Sequence, residues 1–226
     1  MTGSEADGSA TVGVHWVPVD IRAAEHFGSM VSEVERTRAA RYRQPADRWR
    51  SIIAAGALRW VVGQDLGIAP AEVAIERACS WCGEPHGRPA VTGADLHVSL
   101  AHAGDWVLVA ATRVAPVGVD VEQVISARGL PLPRDLILGP AERAAGDDEL
   151  LDLWVAKESY LKALGTGLTL QPCEVSVLGS RITLPGRPEG RLVRLVNRPG
   201  YLAAVCVTGD LAPDVEEAEL SVPQGS

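Results

Sequence analysis

Five side chains in two short stretches have the types and spacing to do chemistry. Asp120 and Glu122 alternate with Val119 and Val121, so in an extended strand both carboxylates face one side and both valines the other. Two acids on one strand face repel each other unless positive charge lies between them. A hard divalent cation answers that need, because magnesium takes oxygen ligands, keeps several waters and commonly adds substrate phosphates. The plain alternative is a polar stripe facing solvent.

The second stretch is Leu150–Leu168, which contains Lys157, Glu158 and Lys162. Glu158 and Lys162 stand four apart with the acid first, which makes them helix neighbours in the better orientation for a charge pair. They are either a solvated pair or something more specific. Lys157 and Lys162 are the only lysines in a chain whose other basic residues are arginine. Lysine written twice within six residues of such a chain suits a compact ammonium that meets phosphate as a point charge. If this helix packs over the Asp120–Glu122 strand, Glu158 becomes the third carboxylate at one ion, with Lys157 and Lys162 at its rim.

The elements that must position these groups are readable in outline. Leu150, Leu153, Trp154, Leu161 and Leu164 recur at helical spacing and Gly165 supplies a stop, predicting an amphipathic helix over 150–164. Earlier, Trp49, Ile52, Ile53, Ala57, Trp60 and Val61 give 47–62 a buried stripe, closed by Gly63 and Gly67. Val14–Val19 reads as a strand edged by Pro18, Val73–Glu76 as a short strand, and Leu96–Leu100 with Trp106–Thr112 as a hairpin whose turn includes His102. From Glu33 into the start of the first long helix runs the most basic part of the chain, with Arg36, Arg38, Arg41, Arg43, Arg48 and Arg50. Such a run is either a solvated face or the place where phosphates or an acidic partner dock.

The second half repeats the order of the first. Gly118–Glu122 answers Gly13–Trp16, the 150–164 helix answers 47–62, and Gly200–Val207 answers Gly104–Ala110, each about one hundred residues on. The fold class expected is α+β, as two pseudo-symmetric lobes, each with a long helix packed on a small, mostly antiparallel sheet. The boundaries expected are a disordered tail at 1–12, an N-terminal lobe at 13–112, a connector at 113–117, a C-terminal lobe at 118–209 and a loose acidic tail at 210–226.

Composition narrows the classes. At 226 residues, 46% of them hydrophobic, the chain can bury a sizeable core. A net charge of −8 argues against general nucleic-acid binding and against adhesion to anionic membranes. It leaves room for an anionic ligand in a local basic pocket. The N-terminal residues lack a basic then apolar leader and no apolar run approaches membrane-spanning length, so a cytoplasmic protein is expected. Cys79, Cys82 and His86 offer part of a zinc-site spacing, but no second CxxC completes it. Reduced thiols in a turn are the plainer reading.

Gly118-Val119-Asp120-Val121-Glu122, followed by Trp154-Val155-Ala156-Lys157-Glu158-Ser159-Tyr160-Leu161-Lys162 and Gly165-Thr166-Gly167-Leu168, resembles the paired signature GxDxE and WxxKEAxxKxxGxGL of the 4′-phosphopantetheinyl transferases. Spacing and overall length resemble their surfactin-synthetase-activator (Sfp) type. His86-Gly87-Arg88-Pro89 resembles that family's HGKP stretch and Arg41–Arg59 its early basic helix. The resemblance implies two pseudo-symmetric lobes in one chain, hence a monomer. It also implies a Mg²⁺-dependent enzyme that moves the phosphopantetheine arm of coenzyme A onto a serine of an acyl or peptidyl carrier protein and releases 3′,5′-ADP.

Carried over, Asp120, Glu122 and Glu158 would hold Mg²⁺. Arg88, Arg50 and Ser51, with Arg38, would face the adenosine and its 3′-phosphate. His102 and Lys162 would lie along the pyrophosphate, and Lys157 would help there or pair with a carboxylate. Glu158 is the expected proton acceptor, while Lys162 and His102 would stabilise the leaving phosphate; His102 as an ordinary turn histidine is the alternative. Ala101-His102-Ala103-Gly104 departs from the family's SHSG, so one serine contact to phosphate, about 0.5–1.5 kcal/mol, is missing.

Two other classes share these residues: a Mg²⁺-dependent hydrolase of coenzyme A or nucleotide diphosphates, and a non-enzymatic lobe pair that only binds carriers. For docking an acidic carrier, Arg36–Arg50 offers a basic patch and Gly129–Pro133 an apolar one.

Overall fold

A computed structural model describes residues 11–79, 83–84, 87–124, 132–196, 198–220 and 222. Cys82, His86 and Gly129–Pro131, singled out above, lie outside the described residues.

The chain opens with β1 (Thr11–Pro18), then two short helices, α1 (Ile21–Gly28) and α2 (Glu33–Ala40), and the long helix α3 (Pro45–Leu66). Local chemistry sets these ends. Asp20 caps α1 through the Ala23 amide, Ser32 and Glu35 form a reciprocal capping box on α2, and Pro45 sits in the first turn of α3. Gly67 ends α3 at φ +68, a left-handed position that glycine takes without strain. A two-stranded ribbon, β2 (Ile75–Glu76) with β3 (Ala90–Val91), precedes the hairpin β4 (His97–Ala103) and β5 (Trp106–Thr112).

The second half runs β6 (Val117–Gln123), a single helical turn α4 (Arg134–Ile137), the long helix α5 (Asp147–Leu164), and then β7 (Ser176–Leu178), β8 (Arg181–Thr183), β9 (Gly190–Arg194) and β10 (Tyr201–Thr208). The two halves share a topology. In one sheet the order β1-β5-β4 is antiparallel throughout, and in the other so is β6-β10-β9. The α+β class expected from the sequence is what the chain adopts. The sheets meet where β4 lies against β6, and the Val119 amide donates to Ser99 Oγ at 3.1 Å. Val12, Val14, Trp16 and Leu108 from one sheet interleave with Val119, Val121, Tyr201 and Val205 from the other, so a single apolar core spans the seam.

Three features differ from the sequence expectation. Thr11 and Val12, assigned to the tail, begin β1. Residues 214–219, expected within a loose acidic tail, form β11 (Asp214–Glu219), which pairs parallel with β1 at the sheet edge. Two of their four acids are held by the first sheet and its neighbour: Trp16 Nε1 donates to Glu217 at 2.9 Å and Arg198 pairs with Glu219 at 2.8 Å. Third, α5 is not one-faced, because every residue from Val155 to Leu161 is buried. It is a central helix packed on several sides, not a surface helix with a wet face.

Candidate active site at the seam of the two lobes

Gly118, Asp120 and Glu122 share the face of β6 that meets α5, while Val119 and Val121 point into the seam core. A side chain at Gly118 would run into the Ser159 carbonyl oxygen and the Ala163 amide. The bare backbone there lets α5 lie directly on the strand, which draws Glu158 and Lys162 down beside the carboxylates. Acids at Asp147, Asp148 and Glu149 suit the helix start, and Gly165, at φ +75, ends it.

Of the two readings of Glu158 and Lys162, the solvated helix pair is not formed. Lys162 Nζ reaches across to Asp120 Oδ1 at 2.6 Å and to the Val119 carbonyl at 3.2 Å. Glu158 Oε1 is buried with no hydrogen-bond partner among the described residues. Burial, and then the negative charge of Asp120, push the Glu158 carboxyl up to about 7, with Lys162 opposing and Glu122 adding to the push. Among the described residues no three His, Cys, Asp or Glu side chains are already gathered as a metal cage. Lys162 supplies the positive charge at Asp120 instead. The donor set nevertheless fits a hard cation: all-oxygen ligands, mutual repulsion between carboxylates, and a buried Glu158 oxygen that lacks a donor.

Beside these groups the N-terminal lobe contains a cavity of about 1010 Å³ between α2, α3 and the β2 ribbon. Arg38, Arg50, Ser51 and His102, all anticipated, line it, together with Arg41 and Tyr42. Arg50 is held on two sides: Nε donates to the Gly104 carbonyl at 2.7 Å and Nη1 pairs with Asp47 at 2.6 Å. His102, the next-to-last residue of β4, has its pKa lowered by burial and then by Lys162 and Arg50. Its imidazole is therefore neutral at pH 7 and offers a hydrogen bond, not a charge.

Two anticipated residues are elsewhere. Lys157 is fully buried, with Nζ donating to the Ile137 carbonyl at 2.6 Å and paired with Glu142. Neighbours in a helical sequence lie about 100° apart around the axis, so the residue next to Glu158 points away from it. Lys157 is a structural ion pair and not a phosphate ligand. Arg88 lines a separate hollow of about 400 Å³, and its Nη1 donates to the Ala163 carbonyl at 3.0 Å. There it sits at the negative end of the α5 dipole. Sequence reasoning missed Asp47, whose i,i+3 spacing to Arg50 was a readable signal. It also missed Glu142 and Tyr201, whose partners are too distant in sequence to be read.

Residues 116–206 match the profile of the 4′-phosphopantetheinyl transferase superfamily. Over that stretch the chain is similar to that superfamily. It is 29% identical over 154 residues to the 4′-phosphopantetheinyl transferase psf-1 of Bacillus pumilus, an alignment covering 64% of this chain and 62% of the relative. It is 27% identical over 175 residues to a phosphopantetheinyl transferase of a Thraustochytrium species, covering 68% of this chain and 58% of the relative. Identity is 25% over 225 residues to the 4′-phosphopantetheinyl transferase ffp of Bacillus subtilis, covering 88% and 91%. The chain thus spans about three fifths of the first two relatives and nine tenths of the third.

Proposed function

We propose that this chain transfers the 4′-phosphopantetheine arm of coenzyme A to a serine of an acyl or peptidyl carrier protein and releases 3′,5′-ADP. The observation that carries this reading is the buried Glu158 oxygen beside Asp120, next to a nucleotide-sized cavity lined by Arg38, Arg50, Ser51 and His102. The cavity's cations suit the adenosine phosphates, and Lys162 and His102 suit the pyrophosphate. Asp120, Glu122 and Glu158 would hold Mg²⁺, which when bound neutralises and orients a pyrophosphate.

In the transfer, the serine Oγ bonds to the β-phosphorus of coenzyme A as that phosphorus parts from the bridging oxygen, which leaves with the electron pair on 3′,5′-ADP. The serine proton goes to Glu158. In the metal-free protein burial and the charge of Asp120 raise the Glu158 carboxyl above an ordinary glutamate, and its buried, unpartnered Oε1 is the acceptor that lies among the acids. Lys162 and neutral His102 stabilise the departing oxygens by hydrogen bonding. Coenzyme A and a carrier protein are thus the partners. No helix among the described residues is long and apolar enough to cross a membrane, and we place the chain in the cytoplasm as a monomer, both lobes completing one site.

The test is mass spectrometry of an apo carrier protein incubated with the chain, coenzyme A and Mg²⁺. The carrier should gain one phosphopantetheine arm, and chelation of divalent cations should stop the gain. Rapid release of 3′,5′-ADP from coenzyme A with no carrier present would refute transfer and indicate a hydrolase.

A further inference from the structure

Tyr201 lies on β10, in the C-terminal lobe, yet its hydroxyl serves the N-terminal one. The Asp105 amide donates to Tyr201 Oη at 3.0 Å, across the seam, and the ring is buried against the turn between β4 and β5. That turn is glycine at 104 for two reasons visible here. Its φ is +52, and a Cβ would run into the Tyr201 hydroxyl. The same Gly104 presents its carbonyl to Arg50 Nε at 2.7 Å, and two residues back the strand carries His102. The turn is also held by the Ala103–Trp106 pairing of the hairpin and by the Asp105 carbonyl, which accepts from the Val19 amide at 2.8 Å.

We propose that Tyr201 is a positioning residue for Arg50 and His102. It fixes the β4–β5 turn, and through it sets where the cavity's guanidinium and imidazole stand relative to the Asp120–Glu158 acids. Tyr201 acts on them through Gly104 and Asp105, its hydroxyl accepting from the Asp105 amide and donating to the Asp105 carboxylate at 3.4 Å. In β10 it also pairs with Gln123, next to Glu122 on β6. One residue, by its backbone on β6 and its side chain on the β4–β5 turn, therefore references both halves of the site to a common frame. The proposal rests on the transferase reading for what Arg50 and His102 hold.

The test compares Tyr201→Phe with the wild-type chain for transfer to a carrier, alone and combined with Arg50→Ala. Removing Oη should raise the KM for coenzyme A roughly three- to tenfold, the range one hydrogen bond commands, while the KM for the carrier changes less than about twofold. In the Arg50→Ala background the same change should add almost nothing, because residues that act through one another are not additive. An unchanged coenzyme A KM, an equal effect in both backgrounds, or a loss confined to the carrier KM would overturn the proposal. Should Tyr201→Phe fail to fold, Arg50→Lys decides. It keeps the charge but loses the geometry that holds Gly104 and Asp47 together, so it should lose as much coenzyme A affinity as Arg50→Ala. Wild-type affinity in that variant would overturn the proposal. A wild-type chain that modifies no carrier would instead refute the transferase reading itself.

Discussion

Glu158→Gln should make the metal-free protein more stable while disabling it. The Glu158 carboxyl is 8% exposed and its pKa stands at about 7, against 4.5 when unperturbed. The folded state therefore binds more protons than the unfolded state between pH 4.5 and 7, and stability falls as pH rises through that window. At 1.36 kcal/mol per pKa unit, the whole displacement is worth about 3 kcal/mol above pH 7 and nothing below pH 4.5. Glutamine has the same shape but cannot ionise. Urea unfolding in chelator at pH 5, 6, 7 and 8 should show the variant gaining on the wild type with each step, to about 3 kcal/mol at pH 8. Saturating Mg²⁺ should narrow the gap, because an ion bound by the native carboxylates stabilises the wild type. A variant no more stable than the wild type at pH 8, or a difference that does not change with pH, would falsify the account of Glu158 as an acid held against its charge.

Two further outcomes follow from the packing around that acid. Lys157→Met should cost about 3–5 kcal/mol in urea unfolding, because it leaves Glu142 partly buried without its cation, and adding Glu142→Gln should restore part of the loss. Gly118→Ala should lift α5 from β6. The overpacking should cost about 1–3 kcal/mol or more in urea, and transfer should fall further than stability does, since Glu158 and Lys162 move with the helix.

The legible parts of this chain were those encoded locally. Gly165 and the leucines at helical spacing located α5, though not its first turn at Asp147–Glu149, and strict alternation located β6 with both carboxylates on one face. For Lys157 the pairing with a carboxylate is the alternative realised and the phosphate role is not, because adjacency in sequence is not adjacency on a helix; its partner Glu142 lies outside any local pattern. Arg88 was misread because its position relative to the α5 terminus depends on how the lobes pack. β11 was hidden by composition: Asp214–Glu219 has the charge of a solvated tail, and its parallel pairing with β1 joins opposite ends of the chain. Only Val215, packed on the seam core, hinted at a strand with an inner face.

The division of labour between the lobes explains why the seam is so heavily built. All three acids come from the C-terminal lobe, whereas Arg38, Arg50, Ser51 and His102 come from the N-terminal lobe, so their relative position depends on lobe packing alone. Lys162 cannot set it, since its partners Asp120 and Val119 belong to its own lobe. Seam contacts can, among them the Val119–Ser99 bond, the Tyr201–Asp105 bond, the Arg88–Ala163 bond, and Arg198, whose guanidinium lies 5.1 Å from the Trp16 ring centre and 4.4 Å from that of Trp106. Arg198 is tied to Glu219 of β11, and Glu217 bonds both Trp16 Nε1 and the Val196 amide. The C-terminal strand thus closes a clasp between the first strand of one lobe and the β9–β10 connection of the other. Displacement of about 1 Å between reacting groups is enough to cost a hundredfold in rate. That sensitivity is a physical reason for an acidic chain to retain six apparently solvent-seeking residues as a paired strand.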